Sequence, residues 1–326
     1  MQTVPMRRAS QRGTSRDGAR CLTALRSLGM TVVLSSAVIL AACSQNAAHT
    51  SRGASTTAGS GRSAGPIPVV TTISTLNSFV KGVGGRYVSV QSIVPIGASP
   101  ETFEPTPQSV ALVSEARLLV ENGAGLETWM RGLLQDATSD ATVVDASHGL
   151  PIIGSNPHLW MDPVYAQHYV ARIRDALVAI DPAHRGYYVH HAAAYDARLD
   201  ALTAWIRAQI APIPKPRRLL IVFHNAWQYY DDRFGIRTLG IIEAAPGQEP
   251  NPHDFGHVVD LAKQYHVGAI FGEPEYNPKL ALALARDAGV PVVENLYDDS
   301  IGTSPQVGNY ISMLRYDTRE IVTSMR

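Results

Sequence analysis

Residues 183–216 read AHRGYYVHHAAAYDARLDALTAWIRAQIAPIPKP. After Gly186 the stretch has no glycine or proline until Pro212, and its alanine- and leucine-rich composition is that of one long helix over 183–211. Pro212, Pro214 and Pro216 then stop it. On both sides the rhythm changes to short apolar runs alternating with amphipathic stretches. Upstream, residues 67–73 (IPVVTTI), 88–94, 117–121 and 142–145 read as strands. Residues 109–115 (SVALVSE) read as a helix, with Thr106 as N-cap and Pro107 in its first turn. Downstream, residues 219–223 (LLIVF), 267–271 and 290–294 read as buried strands. Strands alternating with helices imply parallel sheets flanked by helices. The expected fold is therefore α/β: two lobes, each a mostly parallel sheet flanked by helices, joined by one long rigid linking helix. The boundaries are 66–182 for the N-terminal lobe, 183–213 for the linking helix and 214–326 for the C-terminal lobe.

The first 65 residues read differently. Residues 1–42 carry six arginines and one aspartate, and an apolar run of about 15 residues follows Arg26, too short to span a bilayer but right for a signal-peptide core. It ends in Leu40-Ala41-Ala42-Cys43, which resembles the lipobox of bacterial lipoproteins. The thiol of Cys43 is the expected lipidation site, with 1–42 removed as a signal peptide. Residues 43–65, rich in Ser, Gly, Ala and Thr, read as a flexible tether.

The chain has 28 basic and 28 acidic residues and no net charge, so composition suggests no nucleic-acid partner. Without residues 1–42 it keeps 22 basic and 27 acidic residues, a mildly acidic body compatible with a cationic ligand. The two cysteines are Cys21 and Cys43. A metal site in the body must therefore use His, Asp and Glu.

Ligands of such sheets bind beyond the carboxyl ends of the strands. Four stretches with donor side chains fall in such places: 95–107 (PIGASPETFEPTP), 156–163 (NPHLWMDP), 224–230 (HNAWQYY) and 296–302 (LYDDSIG). Two lie in each half, and together they offer two imidazoles and two carboxylates, a suitable cage for Mn²⁺, Fe²⁺ or Zn²⁺.

These four motifs, in this order, resemble the manganese/zinc/iron solute-binding proteins of ABC importers, over roughly Pro66 to the C-terminus. The resemblance implies two lobes around a rigid helix, with one metal in the cleft on Glu101, His158, His224 and Asp299. It also implies an extracytoplasmic, monomeric protein that is not an enzyme, held at the membrane by lipid and delivering its ion to an ABC permease. Glu249-Pro250 resembles a family turn before a C-lobe helix and is not a ligand position.

One departure stands out: the first ligand position is usually His and here is Glu101. Either Glu101 is a carboxylate ligand, giving a His₂GluAsp set, or it faces solvent and leaves three ligands. Zinc-specialised members often carry a His- and acid-rich loop between the first two ligands, whereas residues 102–157 contain only His148. The expected cargo is one divalent transition-metal ion, manganese or zinc with iron as a third; the Glu101 departure and the missing loop favour manganese or ferrous iron. Asp298 neighbours Asp299, and the motif favours Asp299. His190-His191 reads as a solvated face, and His253 with His257 as a helical i,i+4 pair lacking a third ligand. The rival functions are a secreted metalloenzyme with an open coordination position, and a metal chaperone or adhesin on the same scaffold. Against the enzyme, the sequence holds no H-E-x-x-H, no G-x-S-x-G and no phosphate-cradling glycine loop.

Overall fold

The computed structural model describes residues 65–137, 139–245 and 247–326. The signal segment 1–42, Cys43 and the tether up to residue 64 lie outside the described residues. Among the described residues, no helix is long and apolar enough to cross a membrane.

The first half is a parallel sheet of β1 (Ile67–Thr71), β2 (Val88–Ser92), β3 (Leu118–Glu121) and β4 (Thr142–Asp145), in the order β2-β1-β3-β4. Its helices are α1 (Ser74–Gly84), α2 (Pro107–Glu115), α3 (Met130–Asp136) and α4 (Pro163–Ile180). α2 starts where its cap chemistry requires. Thr106 Oγ1 accepts from the Ser109 amide at 3.3 Å, and Ser109 Oγ accepts from the Thr106 amide at 3.1 Å, so two otherwise orphaned donors are satisfied reciprocally.

The long helix α5 runs Arg185–Ile210, after a tight 3₁₀ turn at Pro182–His184 that takes up the first residues of the expected span. Tyr188, Ala192, Tyr195, Leu199, Leu202, Ile206 and Ile210 form its buried stripe at spacings of three or four.

The second half pairs β5 (Leu219–Val222) with β6 (Arg237–Ile241), and β7 (Ile270–Phe271) with β8 (Val292–Val293), both parallel. α6 (Gln228–Phe234), α7 (Pro252–Gln264) and α8 (Lys279–Ala288) cover them, and α9 (Tyr310–Ser324) ends the chain. β7 and β8 are shorter than the apolar runs around them. Val267 lies in the turn that follows α7, where its amide donates to the Ala262 carbonyl at 3.1 Å.

The main core does not respect the division into halves. One cluster of buried side chains includes Phe79, Trp160, Tyr169, Leu199, Leu220, Trp227, Tyr310 and Met313. α9 packs against α5 and α1, with Phe79 and Tyr310 rings 4.7 Å apart, the Tyr310 amide donating to Ser78 Oγ and its hydroxyl to the Trp160 carbonyl. A smaller core built on Ile221, Phe223, Val258, Val259, Ile270 and Leu284 lies between the second sheets and helices α7 and α8. Full burial of each large side chain contributes about 1.5–3 kcal/mol, so the shared cluster is the main fastening between the halves.

Candidate metal centre

Loops beyond the strands of both halves bring Glu101, His158, His224 and Asp299 together. His158 is set by Asn156, whose side-chain oxygen accepts from the His158 amide at 3.0 Å and lies 2.8 Å from His158 Nδ1. An amide oxygen only accepts, so Nδ1 carries hydrogen and Nε2 offers a bare lone pair. The Asn156 amide nitrogen donates across the cleft to the Asn225 carbonyl at 2.7 Å. Asn122 holds the Pro157 carbonyl at 3.0 Å and is itself held by the Tyr169 hydroxyl at 2.6 Å.

His224 follows β5 directly, and its Nδ1 lies 2.5 Å from a carboxylate oxygen of Glu273, which follows β7. Its Nε2 lies 3.1 Å from His158 Nε2. Asp299 is 1% exposed, with Oδ1 3.3 Å from His158 Nε2 and Oδ2 3.8 Å from His224 Nε2. Neither Asp299 oxygen has a hydrogen-bond partner, and neither does Glu101 Oε2. The Glu101 side chain is turned inward, 14% exposed, with Oε1 4.0 Å from His158 Nε2. Buried, unpartnered carboxylate oxygens facing two imidazole Nε2 atoms are what a cation would satisfy. Glu101, His158 and His224 each offer a donor atom within 4.8 Å of the others. Beside them a cavity of about 270 Å³, also lined by Gln228 and Glu243, leads outward.

The electrostatics match a site built for positive charge. Burial alone would push the His224 imidazole down, but Glu273, Asp298 and Asp299 hold it well above its ordinary value. Burial pushes the Asp299 carboxyl up, and His224 and His158 outweigh this and lower it. Glu101 is raised, mainly by burial, with His158 acting against the rise. Burial and the nearby Glu273 drive the Asp298 carboxyl well up.

Asp298 is turned away from the two Nε2 atoms. Its Oδ2 accepts from Trp227 Nε1 at 3.1 Å and lies 3.9 Å from His224 Nδ1. Its backbone carbonyl accepts from Trp160 Nε1 at 2.8 Å. Of the lesser candidates, His253 is 91% exposed, His190 is exposed and His191 stacks on Tyr187. Glu249-Pro250 stands just ahead of Asn251, the N-cap of α7. The Glu-Pro pair that reaches the centre is instead Glu273-Pro274. Sequence reading passed over Glu273, although the rule that located the motifs, donor residues just past a strand, points to it after the run 267–271.

Fold and site define the class: a two-lobed α/β protein with a buried imidazole–carboxylate cage between its lobes. The chain belongs to the family of ZnuA, the periplasmic component A of the zinc-uptake complex, whose profile matches residues 69–324. It is 34% identical over 266 residues to the manganese-binding lipoprotein MntA of Halalkalibacterium halodurans, covering 79% of this chain and 88% of that one. It is 30% identical over 256 residues to the iron-binding protein YfeA of Yersinia pestis, covering 76% and 82%. The crystal structure of ZnuA matches with a TM-score of 0.74 at 27% identity, over 80% of this chain and 100% of that one. The periplasmic zinc-binding protein TroA of Treponema pallidum matches with a TM-score of 0.75 at 24% identity, over 80% and 99%, and shares the fold.

Proposed function

We propose that this protein captures a divalent transition-metal ion outside the cytoplasm and delivers it to the permease of an ABC importer. Glu101, His158, His224 and Asp299 bind the ion, and the body is a monomer held near the membrane by a lipid on Cys43. The observation that carries the reading is the pair of unpartnered Asp299 oxygens facing two Nε2 atoms 3.1 Å apart. The names of relatives in the family, which speak of zinc, manganese and iron, support the same class of cargo. Two nitrogen and two oxygen donors suit all three ions; the share of oxygen favours manganese and ferrous iron, while intrinsic affinity favours zinc. With Glu101 turned inward, four protein donors fill a four-coordinate shell, which argues against the open position a catalytic metal keeps.

The test is metal content and competitive titration on residues 65–326, beside Glu101→Ala. One tightly bound ion per chain, weakened by the substitution, supports the four-ligand reading. Unchanged binding in the variant removes Glu101 from the set, and no binding in either form overturns the proposal.

A further inference from the structure

The exposed turn of the loop that delivers Glu101 is tied to the opposite half of the chain through the Ser300 hydroxyl. Pro95, Ile96 and Gly97 are exposed, with Ile96 at 47%. On the N-terminal side the loop is held from below, where Trp129 Nε1 donates to the Pro100 carbonyl at 2.9 Å. The exposed turn meets the second half of the chain where the Gly97 amide donates to Ser300 Oγ at 3.1 Å, and further along the loop Ser99 lies against the Tyr276 hydroxyl. Ser300 is 2% exposed, directly follows Asp299, and its hydroxyl donates to a carboxylate oxygen of Glu275. That commitment leaves the oxygen's lone pairs free to accept from Gly97. The next amide, that of Ile301, donates to Ser74 Oγ at 3.1 Å, so the Asp299 segment is itself firmly seated. Gly97 has a φ of +80°, so the loop turns at a position that favours glycine, with nothing within 4 Å of where a Cβ would stand.

Seated hydroxyl, exposed turn and the bond between them form a latch four residues from the Glu101 carboxylate. We infer that the Ser300 hydroxyl holds the Glu101 loop shut over the bound ion and thereby sets how fast the ion leaves. Ser300 acts through Glu101 and is a positioning residue, not a ligand. The inference rests on the metal-binding reading and extends it from what binds to how release is controlled.

The experiment loads the full-length chain with Zn²⁺ and follows release into an excess of coloured chelator by stopped flow. Losing one hydrogen bond to an exposed amide corresponds to a release rate about three- to tenfold faster in Ser300→Ala. Association with fresh Zn²⁺ stays as in the natural protein, and Ser300→Thr, which keeps the hydroxyl, restores slow release. A merely structural role would instead lower the unfolding midpoint of the metal-free chain and leave release unchanged. Amide hydrogen exchange in the unsubstituted, Zn²⁺-loaded protein tests the latch without any variant: the Gly97 amide is protected despite its exposure. Equal release rates in Ser300→Ala and the natural protein, or a Gly97 amide exchanging as freely as an unbonded one, overturn the latch alone. Failure of the natural protein to take up Zn²⁺ overturns the binding reading, and the latch with it.

Discussion

His158 and His224 meet through the same ring nitrogen, Nε2 to Nε2 at 3.1 Å, while Asn156 and Glu273 occupy the other nitrogen of each ring. With each Nδ1 already engaged, a single proton can bridge the two Nε2 atoms, and a metal ion that replaces it gains both lone pairs. With the Asp299 oxygens also unpartnered, an ion relieves several buried costs at once. An ion that binds the folded chain alone stabilises it by about 4 kcal/mol at a thousandfold excess over Kd, equivalent to a rise in Tm of roughly 10 °C. Adding Zn²⁺ is expected to raise Tm by that order in differential scanning calorimetry, and a chelator to reverse it. His224→Ala is expected to abolish the rise.

Glu273 faces His224 Nδ1, on the far side of the ring from the paired Nε2 atoms, and is expected to matter almost as much as a ligand. Its carboxylate fixes His224 Nδ1–H and turns Nε2 into the cleft. Partners of this kind typically change metal affinity 10- to 100-fold when mutated. Competitive titration of Glu273→Gln is expected to show a loss within about that range, with the far-ultraviolet circular dichroism unchanged. Affinity equal to that of the natural protein would make the contact incidental.

Asp162 and Arg233 join the two halves outside the cleft. Arg233 donates from Nε to both Asp162 oxygens, at 3.0 and 2.9 Å, and from its terminal nitrogen at 2.6 Å. Asp162 is 2% exposed and also caps α4 through the Val164 amide at 2.9 Å. Asp162→Ala removes a cap and strands a guanidinium that is partly open to water. The expected cost is about 2–4 kcal/mol, read as a lower denaturant midpoint at unchanged slope. Arg233→Lys is expected to restore only part of it, because an ammonium cannot reproduce the fork.

Asp231, away from the site on α6, is expected to make stability depend on pH. Burial pushes its carboxyl up to about 7, against two bonds from Thr238 that pull it down, and Oδ1 has no partner. A folded value above the unfolded one means that the folded chain keeps a proton the unfolded chain loses. The associated stability is present below about pH 4 and is lost as pH rises through about 7. Asp231→Asn stays neutral throughout. Urea unfolding from pH 4 to 9 is expected to show it gaining on the natural protein as pH rises, by a few kcal/mol at pH 8. A parallel pH profile for the two proteins would contradict this.

Much of this fold is legible in local chemistry. Thr106 and Pro107 mark the start of α2 because a cap is a short-range device, and the stretch 183–211 announces α5 because its Ala- and Leu-rich run lacks glycine and proline after Gly186 until Pro212. The same locality explains the misses. The runs 267–271 and 290–294 shrink to the ladders Ile270–Phe271 and Val292–Val293, because apolar character records burial whether or not a residue pairs. The gathering of Glu101, His158, His224 and Asp299 was legible through motifs, each a short stretch at a strand end. The partners that orient them were harder to see. Glu273 meets His224 across 49 residues, and Ser300 meets Gly97 across 203. Such pairings belong to the tertiary arrangement and leave no local pattern.

The seating of α9 on α1 and α5 bears on how the chain comes to be folded at all. Tyr310 fills the space against Phe79 and reaches the carbonyl of Trp160, so the earliest core stays open until the final helix arrives. Contacts between the two ends of a long chain form late, because their loop-closure entropy must be met first. A chain emerging N-terminus first would hold its first sheet without that lid until α9 docks. Completion is then tied to arrival of the last turn, and trimming the end before Tyr310 is expected to leave the whole body unfolded, with both halves lost together.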